Sequence, residues 1–155
     1  MRIIEYLRPA AVIANLSGST AHDVLAELCQ PLAATGFHPN DLLAALLDRE
    51  RLSSTGIGDG VAIPHCKVHG LSALTLGFGR SQVGIDFSAL DGQPTFLFFT
   101  LFSPEQPGSK HLSALARISQ ILGSATFRNS VRKASDAATI YSLIEAEDTK
   151  HEGKP

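Results

Sequence analysis

The segment Thr95-Phe96-Leu97-Phe98-Phe99-Thr100-Leu101-Phe102 carries apolar side chains at both odd and even positions. A strand with one face in water alternates polar with apolar residues, so this pattern is typical of a strand covered on both faces. We therefore expect a central strand here, with helices packed on both sides of its sheet. The turn-forming residues Ser103–Gly108 end the strand.

Three helices are predicted after this strand. The first begins near Ser109, the second is short and contains Phe127, and the third runs from about Asp136. The sequence becomes polar towards its end. We take residues 1–147 as a single domain and expect 148–155 to be a flexible C-terminal tail.

Strands and helices are also predicted before the central strand. Ile3–Leu7 is expected to be one helical turn, and Ala11–Leu16 and Leu74–Gly79 are expected to be strands. Val83–Asp91 is expected to be rich in turns, with an edge strand as the alternative. A first helix is capped by Thr20, with Asp23 three residues on, and weakens at Pro31. A second starts at Pro39, a favourable first-turn residue.

Composition limits the function classes. A chain of 155 residues with 44% apolar residues fits one globular domain, and a net charge of −2 gives no indication of nucleic-acid binding. Cys29 and Cys66 do not form a disulfide framework, so we expect a cytoplasmic protein. No signal peptide and no apolar run of membrane-spanning length is present in the sequence, so membrane insertion is not expected.

The stretch Thr55-Gly56-Ile57-Gly58-Asp59-Gly60-Val61-Ala62-Ile63-Pro64-His65 leads to a histidine. Its three alternate glycines predict a mobile loop that allows close backbone approach, and Val61–Ile63 a short buried strand. Pro64 fixes its own φ angle, so the stretch predicts a rigidly placed imidazole at His65.

His111 lies at a similar junction, at the opening of the helix that follows the central strand. If the strands before the two histidines are neighbours, both rings could meet at one edge of the sheet. The remaining histidines have less specific interpretations: His22 and His38 at helix starts, His69 in a polar turn and His151 in the tail.

Arg49 and Glu50 end the second helix on or beside its leucine stripe. One interpretation is a frayed helix end with both charges in water, which composition favours. The other is that the helix end presents Arg49 to a site beside the glycine loop.

Three kinds of chemistry receive little support. A metal site or metal-dependent hydrolase would use His65, His69 and His111, but Pro64 and Gly70 oppose the helix that would bring the first two together. A Cys–His hydrolase is disfavoured because His65 and Cys66 are adjacent, and neighbouring side chains of an extended chain point to opposite sides. Cys66 is instead interpreted as a small buried filler. The glycine spacing matches neither the phosphate-binding motif G-x-x-x-x-G-K-S/T nor the dinucleotide-binding fingerprint.

Phosphoryl transfer through histidine fits the residue types better. An imidazole is a good nucleophile when its other nitrogen is fixed by a hydrogen bond, and the phosphoryl oxygens need donors. Backbone N–H groups of the glycine loop, with Arg49, Ser54, Thr55 and His111, are of the right types. No metal and no cofactor is required if a protein partner brings the phosphoryl group on a histidine.

Three segments strongly resemble the signature of enzyme IIA domains of the bacterial phosphotransferase system, of the fructose/mannitol/nitrogen class: Arg49-Glu50, the twelve residues Ser54–His65, and Lys110-His111-Leu112. The resemblance runs from about Leu7 to Glu145 and is closest to the stand-alone nitrogen-regulatory type. It implies an α/β fold, a three-layer α/β/α sandwich with a mixed sheet of about five strands.

The resemblance also implies a phosphotransferase in which His65 takes a phosphoryl group on its ε nitrogen from the histidine phosphocarrier protein. His111 and Arg49 would hold the phosphoryl oxygens, and the supporting residues would be Glu50, Ser54, Thr55, Gly56 and Gly58. The nitrogen type acts as a phosphorylation-dependent regulator of a target protein, whereas the alternative, sugar uptake, passes the group to a IIB domain. A non-catalytic binding module is a further alternative, and a homodimer is left open.

The sequence departs from the family pattern twice. Cys66 stands where glycine is usual, which raises the question of whether the backbone there needs an unusual angle. Asp59 stands where asparagine is frequent and adds a negative charge near the expected site.

Overall fold

The computed structural model describes residues 1–153 and consists of a mixed sheet with helices on both faces. The strands are β1 (Leu7–Ile13), β2 (Gly56–Gly58), β3 (Val61–Ala62), β4 (His65–Val68), β5 (Thr75–Ile85) and β6 (Thr95–Pro104). The helices are α1 (Ala21–Cys29), α2 (Pro39–Glu50), α3 (Lys110–Leu122), α4 (Ala125–Lys133) and α5 (Ala137–Lys150), with 3-10 turns at Ile3–Tyr6 and Gln30–Thr35. Within residues 1–153 no helix is long and apolar enough to cross a membrane.

β6 is the central strand, as predicted from its continuous apolar run. It pairs antiparallel with β5 and parallel with β3 and β4, and the strand order is β1-β5-β6-β3-β2. Phe98 on one face of β6, and Phe99 and Leu101 on the other, are all fully buried. One layer of α1 and α2 covers one face of the sheet, and α3, α4 and α5 cover the other, which confirms the α/β fold.

β3 and β4 occupy a single position in the sheet, interrupted at Ile63-Pro64. Ala62 lies opposite Phe98, and His65 lies opposite Leu101. Pro64 has no N–H, but its carbonyl accepts a hydrogen bond from the Leu101 amide at 2.9 Å, so pairing with β6 continues across the break. The six strands therefore fill five positions, close to the predicted number.

The helix starts follow their sequence signals. Thr20 Oγ1 accepts from the Asp23 amide and caps α1, and Pro39 is the first residue of α2, where His38 Nδ1 accepts from the Asn40 amide. From Gln30, just before Pro31, α1 gives way to a 3-10 turn, because proline cannot donate the next helical hydrogen bond.

Several boundaries differ from the prediction. The first strand is Leu7–Ile13 rather than Ala11–Leu16; it includes Pro9, which is tolerated because β1 is an edge strand. β5 continues to Ile85, into the stretch expected to be turns. α5 runs to Lys150 with Asp148 fully buried, so positions 148–150 are not part of a tail, and residues 154–155 lie outside the described residues.

A buried guanidinium joins the sheet to the helices, and the sequence analysis had not singled it out. Arg80 on β5 is 1% exposed and donates to the carbonyls of Ala14, Val131 and Ala134 at 2.9, 2.9 and 2.5 Å. The last two carbonyls belong to the C-terminal end of α4, where a positive charge is favourable. One side chain therefore ties the end of β1 to the end of α4.

Candidate active site

His65 is the first residue of β4, placed directly after the proline. Its ring is half-buried, and Nδ1 lies 2.7 Å from the carbonyl oxygen of Ile63. Because a carbonyl can only accept, Nδ1 carries the hydrogen, and the lone pair of the neutral ring is on Nε2. The backbone two residues earlier thus selects the tautomer of this imidazole.

His111, the second residue of α3, lies beside it. The two ring centroids are 5.8 Å apart, and Nδ1 of His111 is 2.5 Å from Oγ of Ser103, a fully buried residue near the end of β6. Burial, and then the nearby charges of His65 and Lys67, lower the pKa of His111. The structure thus brings together the two histidines that the sequence placed at junctions.

Arg49 reaches the same site from the last turn of α2. Its side chain is half-buried, and Nη1 donates to the carbonyl of Ser53 at 3.0 Å. The carboxylate of Glu50 accepts hydrogen bonds from the amide of Thr55, at 3.1 Å, and from its hydroxyl. The end of α2 is therefore held by the following loop. The frayed end in water, which composition alone favoured, is not observed.

One open cavity of about 530 Å³ is lined by Arg49, His65 and His111 together. Its lining residues are Ala45, Asp48, Arg49, Leu52, His65, Cys66, Lys67 and His111. Two imidazoles and a guanidinium in one concave surface form a site that can hold a small anion by charge-assisted hydrogen bonds.

The supporting residues expected from the family signature lie around this cavity rather than in its wall. Ser54 Oγ donates to the carbonyl of Phe87 at 2.6 Å and accepts from the Gly56 amide at 3.0 Å. Glu50 and Ser54 line a different cavity, of about 220 Å³, together with Asp86. Thr55 is 4% exposed and bonded to Glu50.

The glycine stretch forms a paired hairpin. β2 pairs antiparallel with β3, and the turn uses positive φ angles of 93° at Gly58, 55° at Asp59 and 76° at Gly60. The hairpin packs against a neighbouring loop, since the Asp59 amide donates to Asp91 at 3.1 Å. Neither the glycines nor Asp59 lines the histidine cavity.

Cys66 needs no unusual backbone angle. It lies in β4 opposite Phe102, has no positive φ, and is 7% exposed, so cysteine is accommodated where the family has glycine. Burial raises the pKa of the Cys66 thiol to about 12. This agrees with its interpretation as a buried filler.

His69 is turned away from the site. It is exposed and lies 3.0 Å from the carboxylate of Glu105. In the described part of the chain no group of three or more His, Cys, Asp or Glu side chains is placed to hold a metal ion. The three-histidine arrangement required by the hydrolase alternative is therefore not formed by these residues.

Five residues at the site were not predicted from the sequence: Ala45, Asp48, Leu52, Lys67 and Ser103. For Lys67 a signal existed, because residues two apart in a strand share a face, but the strand after Pro64 had not been predicted. Ser103 was assigned to the turn, whereas it belongs to β6.

Comparison with known proteins assigns the chain to one family. Residues 5–147 match the model of the family described as "Phosphoenolpyruvate-dependent sugar phosphotransferase system, EIIA 2". The chain belongs to this family.

The relatives include nitrogen regulatory proteins and components of fructose-specific systems. A nitrogen regulatory protein of Bradyrhizobium diazoefficiens is 38% identical over 93% of this chain and 95% of its own length. The fructose-specific EIIABC component of Bacillus subtilis is 36% identical over 96% of this chain, which corresponds to 24% of that longer protein. The crystal structure of the nitrogen regulatory protein IIA-Ntr from Neisseria meningitidis superposes with a TM-score of 0.86 at 29% identity, covering 92% of this chain and 98% of that one.

Proposed function

We propose that this protein is a phosphohistidine carrier of a nitrogen-type phosphotransferase system, with His65 as the residue that is phosphorylated. The observation that carries the proposal is the 2.7 Å contact of His65 Nδ1 with the Ile63 carbonyl, which leaves Nε2 as the nucleophile in a cavity shared with Arg49 and His111. Family membership supports phosphoryl transfer as the chemistry.

The transfer step requires no metal and no net proton movement. The Nε2 lone pair of His65 forms a new P–N bond, while the P–N bond of the donor's phosphohistidine breaks and its electron pair returns to the donor's ring. Each imidazole keeps the hydrogen on its other nitrogen. The charge spread over the three outer phosphoryl oxygens during this exchange has to be stabilised by donors.

Arg49 and His111 are the proposed donors. The guanidinium of Arg49 can offer a planar pair of N–H groups to two oxygens. His111 offers Nε2–H when the Ser103 hydroxyl donates to its Nδ1. The lowered pKa of His111 favours the neutral ring, in which this tautomer can form. Glu50, Ser54, Thr55, Gly56 and Gly58 have a supporting role, because they hold the end of α2 and the hairpin in place.

The donor is a histidine phosphocarrier protein, and the phosphorylation state is the signal read by a target protein in the cytoplasm. Leu52 lines the cavity and is 81% exposed, and Leu112, which follows His111 in the sequence, is 70% exposed. Both give a protein partner apolar surface to bury. The nitrogen type is favoured by the Bradyrhizobium relative, which this chain matches over nearly its whole length. The alternative is a IIA component of fructose-type uptake that passes the group to a IIB domain, as the Bacillus relative suggests.

Labelling with phosphoenolpyruvate, the upstream kinase and the phosphocarrier tests the proposal. We expect one acid-labile, base-stable phosphoryl group, lost in His65→Ala and retained in the matched control His69→Ala, whose ring faces Glu105 outside the cavity. His111→Ala should slow labelling about 100-fold, as loss of a donor to a transferring group does, without unfolding the domain. Labelling that persists in His65→Ala would overturn the assignment.

A further inference from the structure

Lys67 lies on the same strand face as His65. The two are alternate residues of β4, about 6.6 Å apart along the strand. Cys66 between them is buried, whereas Lys67 is exposed and lines the histidine cavity. The ammonium group is therefore carried at the solvent side of the cavity.

The charge of Lys67 has no partner among residues 1–153. Asp48 is a carboxylate in the wall of the same cavity, but it is paired with Arg51 at 2.9 Å. The ion pairs of the described residues do not include Lys67. Its positive charge contributes to the lowered pKa of His111, so it acts on the second imidazole. An unpaired cation beside two imidazoles and a guanidinium is suited to an anion that arrives during function.

We infer that Lys67 is a third phosphoryl-contacting residue, which donates to the outer oxygens of the group carried by His65 from the solvent side. This inference rests on the proposed function. Arg49 lies on α2 and His111 lies on α3. Lys67 adds a third donor on β4, the strand that also carries His65. Since the contact forms only after the phosphoryl group has arrived, Lys67 favours the phosphorylated state over the free state.

The experiment measures the phosphorylated fraction at equilibrium with a fixed ratio of phosphorylated to free phosphocarrier. Lys67→Met should lower the ratio of phosphorylated to free protein about fivefold, the scale of an exposed ion pair, and Lys67→Arg should restore most of it. Added salt should reduce the wild-type ratio and hardly change that of Lys67→Met. The matched control is Lys110→Met, because Lys110 is exposed beside His111 in sequence but lines another cavity, with Tyr6 and Pro107.

A second measurement does not depend on phosphorylation. In the free protein, Lys67→Met should raise the pKa of His111 in an NMR titration, because one of the charges that lower it has been removed. Equal phosphorylation ratios for Lys67→Met and Lys110→Met, or a His111 pKa that does not move, would overturn the role of Lys67. Absence of labelling in the wild-type protein would instead overturn the proposed function itself.

Discussion

The two histidines of the site differ in what fixes them, and the difference is visible atom by atom. A backbone carbonyl fixes the His65 tautomer, whereas a buried hydroxyl faces the Nδ1 atom of His111 and can either donate or accept. The first ring is therefore restricted to one nitrogen with a free lone pair, Nε2. The second ring can exchange tautomers, which suits a donor that engages and releases phosphoryl oxygens.

His111 should make stability depend on pH. Its pKa is lowered in the folded protein, mainly by burial, so the unfolded chain binds more protons below about pH 6.5, the ordinary value for histidine. The contribution of the neutral ring is present above that pH and is lost as the pH falls. Urea unfolding should therefore show wild type losing stability relative to His111→Gln between pH 8 and pH 5.

His69→Gln is the control for this measurement, because the sign is opposite. The hydrogen bond and charge of Glu105 raise the pKa of His69, so its small contribution is present at low pH and is lost as the pH rises. A stability difference for His111→Gln that is the same at both pH values would contradict the assignment of a neutral, desolvated ring.

At the scale of elements, the Glu50–Thr55 contact joins the end of α2 to the start of the hairpin. Glu50→Ala would leave the buried amide and hydroxyl of Thr55 without their acceptor, which should cost about 2 kcal/mol of unfolding free energy. Transfer should also slow, because Arg49 occupies the preceding position on the helix. Urea unfolding and labelling rates measure the two effects.

Glu145→Ala is the matched control, since Glu145 is an exposed carboxylate on α5. Its stability should stay within about 0.5 kcal/mol of wild type, as is usual for surface substitutions. If Glu50→Ala behaved like this control in both assays, the contact would have no part in holding Arg49.

The elements that sequence could predict are those whose signals are local. The apolar run of β6, the Thr20 cap and the first-turn Pro39 each depend on neighbouring residues, and all three were confirmed. β4 was missed because its pairing with β6 is distant in sequence, and a proline directly before it suggested an end to the strand. The residues found only in the structure, Lys67 and Ser103, are those whose position depends on that pairing and on the full length of β6.

The glycine stretch shows the opposite failure. Alternate glycines predict conformational freedom, but here the positive φ angles at Gly58 and Gly60 form a tight turn that pairs with the next strand. The resemblance implied a set of site residues, and the geometry separates those that line the cavity from those that lie around it. Arg49, His65 and His111 belong to the first group, and Thr55 and Gly56 belong to the second.

For the whole molecule, a buried ion pair holds the N-terminal turn, α3 and α5 together. Asp148 accepts from Arg117 at 2.9 Å and from the Ile4 amide at 3.1 Å, and its side chain is fully buried. Asp148→Ala leaves a buried guanidinium without its partner and should cost about 4 kcal/mol in urea unfolding. A chain that ends at residue 147 should be destabilised to a similar extent.

The double variant Arg117→Met with Asp148→Leu is the control, because it removes both charges and keeps apolar volume. It should recover most of the lost stability, since a buried pair contributes little beyond an apolar replacement. If ending the chain at residue 147 left stability unchanged, the domain would end at 147 as the sequence suggested, and Asp148 would not belong to its core.

The amide of Leu101 donates a hydrogen bond to the carbonyl of Pro64, and this bond spans the break before β4, the strand that carries His65. During synthesis on the ribosome, the segment bearing His65 emerges before β6, the strand with which it pairs, and before α3, which carries His111. Under the proposed function, an incomplete chain without β6 and His111 would neither accept phosphoryl groups nor signal. Competence to signal would arrive together with the finished chain, without any separate maturation step.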